Sequence, residues 1–190
     1  MNKITTYLNA GLIKMRKKQS QIWVETVIYT LIGLTVIGLL LAYATPKINE
    51  TKDKILVQQG INFLRRTRDK IEKINSKGVG NTRDEEVALK KGEFIIDASN
   101  ETLRLKIKGD YKYSEPNQTL NQGGISILTR GVGDEYEVGL SLSYEGRFNI
   151  TYNGRETTKK FTRSTSPYNL LISNKGRTGN LTNIDFSLKG

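Results

Sequence analysis

The 190-residue chain contains no cysteine and no histidine. Without cysteine it has no disulfide framework and no thiolate metal site, and the redox state of its compartment cannot be inferred. Without histidine it lacks the commonest metal ligand and the commonest general base. We therefore expect a non-enzyme that uses no metal and no cofactor.

The acidic residues do not suggest a catalytic or metal site. The densest group in the strand-rich half, Asp134, Glu135 and Glu137, is typical of a turn followed by a strand edge rather than of a calcium loop. The preceding glycines, Gly131 and Gly133, form too short a motif for a phosphate loop, and no predicted helix follows them.

The positive charge is concentrated at the N-terminus. Five basic residues and no acid precede Gln21: Lys3, Lys14, Arg16, Lys17 and Lys18. Subtracting these five from the 30 basic residues leaves 25 against 19 acidic residues, so the formal charge falls from +11 to +6. That balance is ordinary for a mildly basic protein, and we expect no nucleic-acid partner.

A long apolar run follows the basic cluster. It extends over 23 positions from Ile22 to Ala44 and contains one acid, Glu25. As a helix of ~1.5 Å per residue it measures ~34 Å, enough to cross the ~30 Å hydrocarbon core of a membrane. The basic residues before it and the mixed charges after it predict a cytoplasmic N-terminus and an external C-terminal domain. A carboxylate inside such a run is costly, which makes Glu25 a candidate functional residue.

The order of residues around Gln21 follows a recognisable pattern. A small residue, Ser20, separates the basic cluster from the apolar run, and Glu25 is the fifth residue counted from Gln21. In this the chain resembles the type IV pilin superfamily, specifically archaeal prepilin-like proteins with a class III signal peptide. Ser20 stands where glycine is usual in that family. The resemblance covers about a quarter of the chain.

The resemblance implies a processing and assembly route. A prepilin peptidase in the membrane would cut between Ser20 and Gln21, removing residues 1–20 with the basic cluster Lys14, Arg16, Lys17 and Lys18. The pilus assembly machinery would then join subunits through their N-terminal helices. Glu25 would face the amine of Gln21 in a neighbouring subunit, since a buried carboxylate and a buried ammonium are each costly alone and tolerable as a pair.

Two other functions fit the same segment. The chain is either a monomeric, single-pass membrane-anchored ectodomain that binds a surface ligand or partner, or a minor pseudopilin that primes a filament. A native chain that starts at Met1 favours the anchored ectodomain, whereas a start at Gln21 favours a pilin-like protein.

Residues 47–78 are predicted to extend the apolar helix of residues 21–46, with Pro46 ending or kinking it. The helical period places one apolar stripe on this part, preceded by Ile48 and Ile55: Val57, Ile61, Leu64, Ile71 and Ile74. Basic residues interleaved with Asp69 and Glu72 favour a solvated opposite face: Arg65, Arg66, Arg68, Lys70 and Lys73.

Residues 85–190 change to the alternating pattern of strands. We expect an antiparallel sheet or small sandwich of roughly six to eight strands packed on the helix, which makes the fold α+β and type IV pilin-like. Asn153-Gly154 predicts a hairpin, and Asn174 to Gly176 and Gly179 predict turns between the last two strands. The tyrosines are interpreted as sheet residues with their hydroxyls at the rim.

The motif for N-linked glycosylation, Asn-x-Thr, occurs five times, at Asn49, Asn100, Asn117, Asn149 and Asn180. For an external archaeal surface protein we expect sugars on Asn100, Asn117 and Asn180, with Asn149 as a further acceptor. Asn49 lies close to the apolar run and is expected to be covered in a filament.

Overall fold

The computed structural model describes the backbone of residues 3–189 and the side chains of residues 23–189 other than Thr178. One long helix, α1, spans Lys3–Lys77, and the strands follow it. This arrangement confirms the predicted α+β class. The strands are β1 Thr82–Val87, β2 Glu93–Asp97, β3 Thr102–Gly109, β4 Thr119–Gln122, β5 Ile125–Val132, β6 Glu135–Ser143, β7 Phe148–Tyr152, β8 Thr158–Thr162, β9 Tyr168–Thr178 and β10 Leu181–Leu188, with a short 3-10 helix at Ala98–Asn100.

The chain divides into two compact units, Met1–Lys47 and Ile48–Gly190. In the second unit the ten described strands form a four-stranded sheet, β1-β9-β10-β7, and a six-stranded sheet, β4-β5-β6-β3-β2-β8. All strand pairs are antiparallel except β7 with β10. The prediction of six to eight antiparallel strands therefore undercounts them. It missed the edge strands β1 and β4, whose polar sequences carry little alternation.

The predicted helix stripe is confirmed. Its five residues, from Val57 to Ile74, are at most 1% exposed. The contact with the six-stranded sheet is close at Gly60, where an added Cβ would lie 2.5 Å from Leu105 Cδ2 and 2.9 Å from Leu140 Cδ1. Ile48 and Ile55 do not join the stripe, since they are 52% and 51% exposed.

The basic face of α1 is only partly solvated. Arg68 donates a hydrogen bond to the carbonyl of Gly123, and Lys70 Nζ lies 2.8 Å from Glu85 Oε2 on β1. The prediction of a solvated face is therefore wrong for Arg68 and Lys70, because these long side chains reach the sheets on either side of the helix. Arg66 and Lys73 are exposed as predicted.

Pro46 lies inside α1 and does not end it. Proline removes one backbone hydrogen bond, but the preceding turn has an additional one, donated by Thr45 Oγ1 to the carbonyl of Leu41 at 2.8 Å. Of the predicted end or kink at Pro46, the end is wrong, since α1 continues to Lys77, and the kink stays a prediction.

The Asn153-Gly154 prediction is right for the turn, across which Tyr152 and Arg155 form one antiparallel bridge, and wrong for the extended pairing of the two strands. Both residues have positive φ, 52° and 72°, as a tight turn of this type requires. However, β7 pairs with β10 in one sheet and β8 pairs with β2 in the other, so the turn starts a crossover between sheets. Asp185 Oδ1 holds the turn by accepting a 2.7 Å hydrogen bond from the Gly154 amide.

The predicted turn at Gly179 is confirmed, since the chain reverses at Gly179 and Asn180, whereas the predicted turn at Asn174 to Gly176 lies inside β9. Gly176 has a φ of 97° and donates to Asn174 Oδ1 at 2.9 Å, which makes a local irregularity in a continuous strand. Turn-forming residues therefore bend β9 without interrupting it.

Candidate functional site

The candidate site begins with the part of α1 from Trp23 to Pro46, called here the apolar segment. Its large side chains are exposed on every side of the helix: Trp23 is 74%, Leu39 68% and Tyr43 74% exposed. Among the described residues, α1 is the one helix long and apolar enough to cross a membrane. A helix that is apolar all round is unstable in water unless lipid or protein covers it.

Three threonine hydroxyls in this segment add little to the free-energy cost of moving it out of water. Thr30, Thr35 and Thr45 each donate a 2.8 Å hydrogen bond to the carbonyl four residues earlier. Because these polar groups are satisfied within the helix, they add little cost in an apolar environment. The one charged side chain in the segment is Glu25, and it is the main group that opposes transfer out of water.

Glu25 is exposed near the start of the segment and has no partner among the described residues. The side chains of Ser20 and Gln21, where cleavage is predicted, lie outside the described residues. So do those of the leader cluster, Lys14, Arg16, Lys17 and Lys18. The processing site and the pairing of Glu25 with a neighbouring Gln21 amine therefore stay predictions.

Two glycines in the segment have no structural role in the isolated chain. A Cβ at Gly33 or Gly38 would meet nothing within 4 Å. Glycine inside a helix costs about 1 kcal/mol relative to alanine. Small residues on an apolar helix are typical of close contacts between helices, so both positions are available for a neighbouring helix.

The five Asn-x-Thr asparagines occupy different environments. Asn117 and Asn180 are exposed in loops, Asn149 is half-buried on edge strand β7, and Asn49 is exposed on α1. Asn100 is exposed, but its amide donates a 3.0 Å hydrogen bond to Asp97 Oδ2. A sugar is therefore accommodated most easily at Asn117 and Asn180, and glycosylation of Asn100 would disturb its bond to Asp97.

Asp97 is a nearly buried carboxylate at the end of β2, and it is 3% exposed. Burial by itself raises its pKa, but hydrogen bonds from Asn100 and Thr158 and the positive charge of Arg104 outweigh burial, so the net pKa is lowered. The charged form therefore stabilises the folded state.

We predict that replacing Asp97 by asparagine reduces the acid sensitivity of the fold. A lowered folded-state pKa gives stability that is present above the unfolded value of about 3.9 and is lost as the pH falls through the folded value. Urea unfolding of the wild type and Asp97→Asn between neutral and acidic pH measures this. Asp134→Asn, an exposed turn position, is the matched control, and equal pH slopes in all three chains would contradict the prediction.

The remaining candidate residues are structural. Asp134 lies in the turn between β5 and β6, Glu135 is the first residue of β6, and the described residues contain no group of acids that could hold a metal. Tyr113 is hydrogen-bonded to Gln122 at 2.8 Å near the surface, which agrees with the predicted rim position. Tyr144 does not agree: it is 1% exposed, its hydroxyl has no hydrogen-bond partner in the described part of the chain, and burial raises its pKa.

The sequence analysis did not predict the ion pair between the buried Asp53 and the partly exposed Lys91. Asp53 on α1 is 5% exposed; its Oδ1 lies 2.8 Å from Lys91 Nζ, and its Oδ2 accepts a 2.8 Å bond from the Asp110 amide. Gly109 leaves the space that this carboxylate occupies. One signal was present in the sequence: Asp53 precedes Val57 by four residues, which places an acid on the buried stripe.

No protein-family profile, curated protein or solved structure matches this chain. The functional argument therefore depends on the chemistry of its own residues.

Proposed function

We propose that this chain is a structural subunit of a type IV pilus-like surface filament, processed by a prepilin peptidase between Ser20 and Gln21. The observation that carries the proposal is the apolar segment, which is exposed on all sides and has a single acid, Glu25, near its start. The segment holds the unassembled chain in the membrane, with its N-terminus in the cytoplasm and the β-rich unit outside. After assembly, the same surface packs against the segments of neighbouring subunits.

Glu25 needs different surroundings before and after assembly, when the apolar segment moves from the membrane into a packed core of helices. A lone carboxylate near the end of a membrane helix can lie at the polar interface, but in a packed core of helices it needs a partner. The new amine of Gln21 in a neighbouring subunit supplies one of opposite charge. Gly33 and Gly38 allow the helices to approach closely, which offsets the helix stability that they cost.

The β-rich unit suits a filament subunit because its core does not depend on the apolar segment. All its buried hydrophobic residues lie between Val57 and Phe186, within the unit Ile48–Gly190. The unit therefore keeps its core while the apolar segment moves from lipid into a filament.

The N-terminus of the native protein tests this proposal. We expect intact-mass measurement and N-terminal sequencing to show a chain that starts at Gln21 or at its cyclised form. A chain that starts at Met1 would rule out processing and favour the membrane-anchored ectodomain. Where the start is Gln21, the amount of protein at the cell surface distinguishes a major subunit from a minor one.

A further inference from the structure

The Ile48–Gly190 unit contains a cleft between α1 and the segment that joins β1 to β2, called here the helix cleft. Its volume is about 580 Å³. Its apolar walls include Leu56 and Phe63 from the helix, Leu89 from the joining segment, and Leu105 and Ile107 from β3. A cleft of this volume with apolar walls suits an occupant that places an apolar group in its interior.

The rim of the helix cleft is positively charged. Four basic residues and two acids line it. Lys70 is paired with Glu85 and Lys91 with Asp53, both at 2.8 Å. Arg66 and Lys90 remain exposed, with no ion pair or hydrogen bond among the described residues. Glu86 is the remaining acid of the lining, so the lining carries a net positive charge.

The tip of the β5–β6 hairpin, residues 130–135, is called here the β5–β6 turn, and it has the complementary chemistry. Its six consecutive exposed positions are the last three residues of β5, the reversal at Gly133 and Asp134, and the first residue of β6. The acids Asp134 and Glu135 outnumber Arg130, which lies 3.9 Å from Glu137, so the tip carries a net negative charge. Val132 is 43% exposed, and the acids Asp134 and Glu135 have no ion pair among the described residues. Gly133, at a φ of 63°, lets the chain reverse sharply between the apolar residue and the acids.

We infer that the helix cleft of one subunit receives the β5–β6 turn of a neighbouring copy. Val132 enters the apolar interior, while Asp134 and Glu135 pair with Arg66 and Lys90 at the rim. Cleft and turn share no residues, so a head-to-tail contact between them is heterologous, and where its rotation does not close into a ring it adds subunits along a filament. The inference rests on the proposed filament function and assigns to it a contact between the β-rich units.

Engineered cysteines test the contact directly, because the chain has none of its own. Lys90→Cys and Asp134→Cys are introduced together into the full-length chain, and intact cells are treated with a mild oxidant. We expect a ladder of disulfide-linked multimers on a non-reducing gel. Each single variant should give at most a dimer, because one cysteine per chain cannot propagate.

The matched control keeps Lys90→Cys and places the second cysteine at Glu145, an exposed residue in the β6–β7 turn. This pair should give no ladder. In the Lys90→Cys, Asp134→Cys chain, Arg66→Glu should lower the ladder yield by at least about tenfold, since like charges at a contact cost more than about 1.4 kcal/mol. Adding Glu135→Arg should restore it.

The outcomes separate the contact from the filament. Filaments without a ladder overturn the contact and leave the proposed function unaffected. The same outcome is expected if the cleft binds a small anionic amphiphile instead of a neighbouring copy. A ladder from chains that start at Met1 and form no filaments supports the contact and contradicts the filament function. The absence of both overturns both.

Discussion

A Glu25→Ala chain is expected to insert into the membrane and to form no filaments. Insertion depends on the apolar segment, which the substitution makes more apolar. In the proposed filament, assembly depends on the carboxylate, because its loss would leave the Gln21 amine of the neighbour buried without a partner. Removing one member of a buried ion pair costs about 3–5 kcal/mol, which reduces association by more than about 100-fold. Membrane fractionation and electron microscopy of sheared surface material measure the two results.

Two variants make the result specific to the charge. Glu25→Gln preserves the size of the side chain and removes only the charge, so it should also abolish filaments. Thr30→Ala alters an exposed position of the same segment and removes a hydroxyl that bonds only to its own helix, so filaments should be normal. Normal filaments from Glu25→Ala would contradict the role that we assign to this residue.

Periodic features of the fold were predictable from the sequence. The stripe from Val57 to Ile74 follows the helical period because one face of α1 is covered by a sheet. In β3 the residues Leu103, Leu105 and Ile107 alternate with more exposed basic residues because one face of that strand is buried. Such patterns arise where one face of a helix or strand is buried, and the structure confirms that these faces are buried.

Features that depend on distant partners were not predictable. The Asn153-Gly154 turn was correctly placed, but the pairing of β7 with β10 depends on residues about 30 positions further along the chain. The sequence places Asp53 on the buried stripe, but only the fold places its partners, Lys91 and the Asp110 amide, beside it. Local sequence determines the turn, whereas tertiary contacts determine which strands it connects.

The candidate site shows the same division. Glu25 could be identified from the sequence because its predicted role depends on nearby residues: Ser20 precedes it, and the apolar run surrounds it. The helix cleft could not be predicted from the sequence, because Arg66 and Lys90 lie 24 positions apart and only the fold places them around one cavity. A site built from one continuous stretch is visible in the sequence, and a site built from two stretches is not.

A Phe94→Ala chain is expected to lose about 3–5 kcal/mol of unfolding free energy, a large share of the 5–15 kcal/mol typical of a domain. Phe94 is 0% exposed. Its ring packs edge-on against Phe63 of α1, with centroids 5.1 Å apart, and stacks on Phe161 of β8 at 6.0 Å. The substitution leaves a cavity where α1 meets two strands of the six-stranded sheet, and these neighbours can close it only in part.

Urea unfolding of the full-length chain in detergent measures the loss, with the near-ultraviolet circular dichroism of the tyrosines as the signal. Val79→Ala is the control: Val79 is 72% exposed, so its truncation removes little buried contact and should change stability by less than about 0.5 kcal/mol. A loss below about 1 kcal/mol in Phe94→Ala would mean that the neighbouring side chains fill the cavity. The aliphatic stripe, and not the aromatic cluster, would then be the main contact between the helix from Ile48 onward and the sheets.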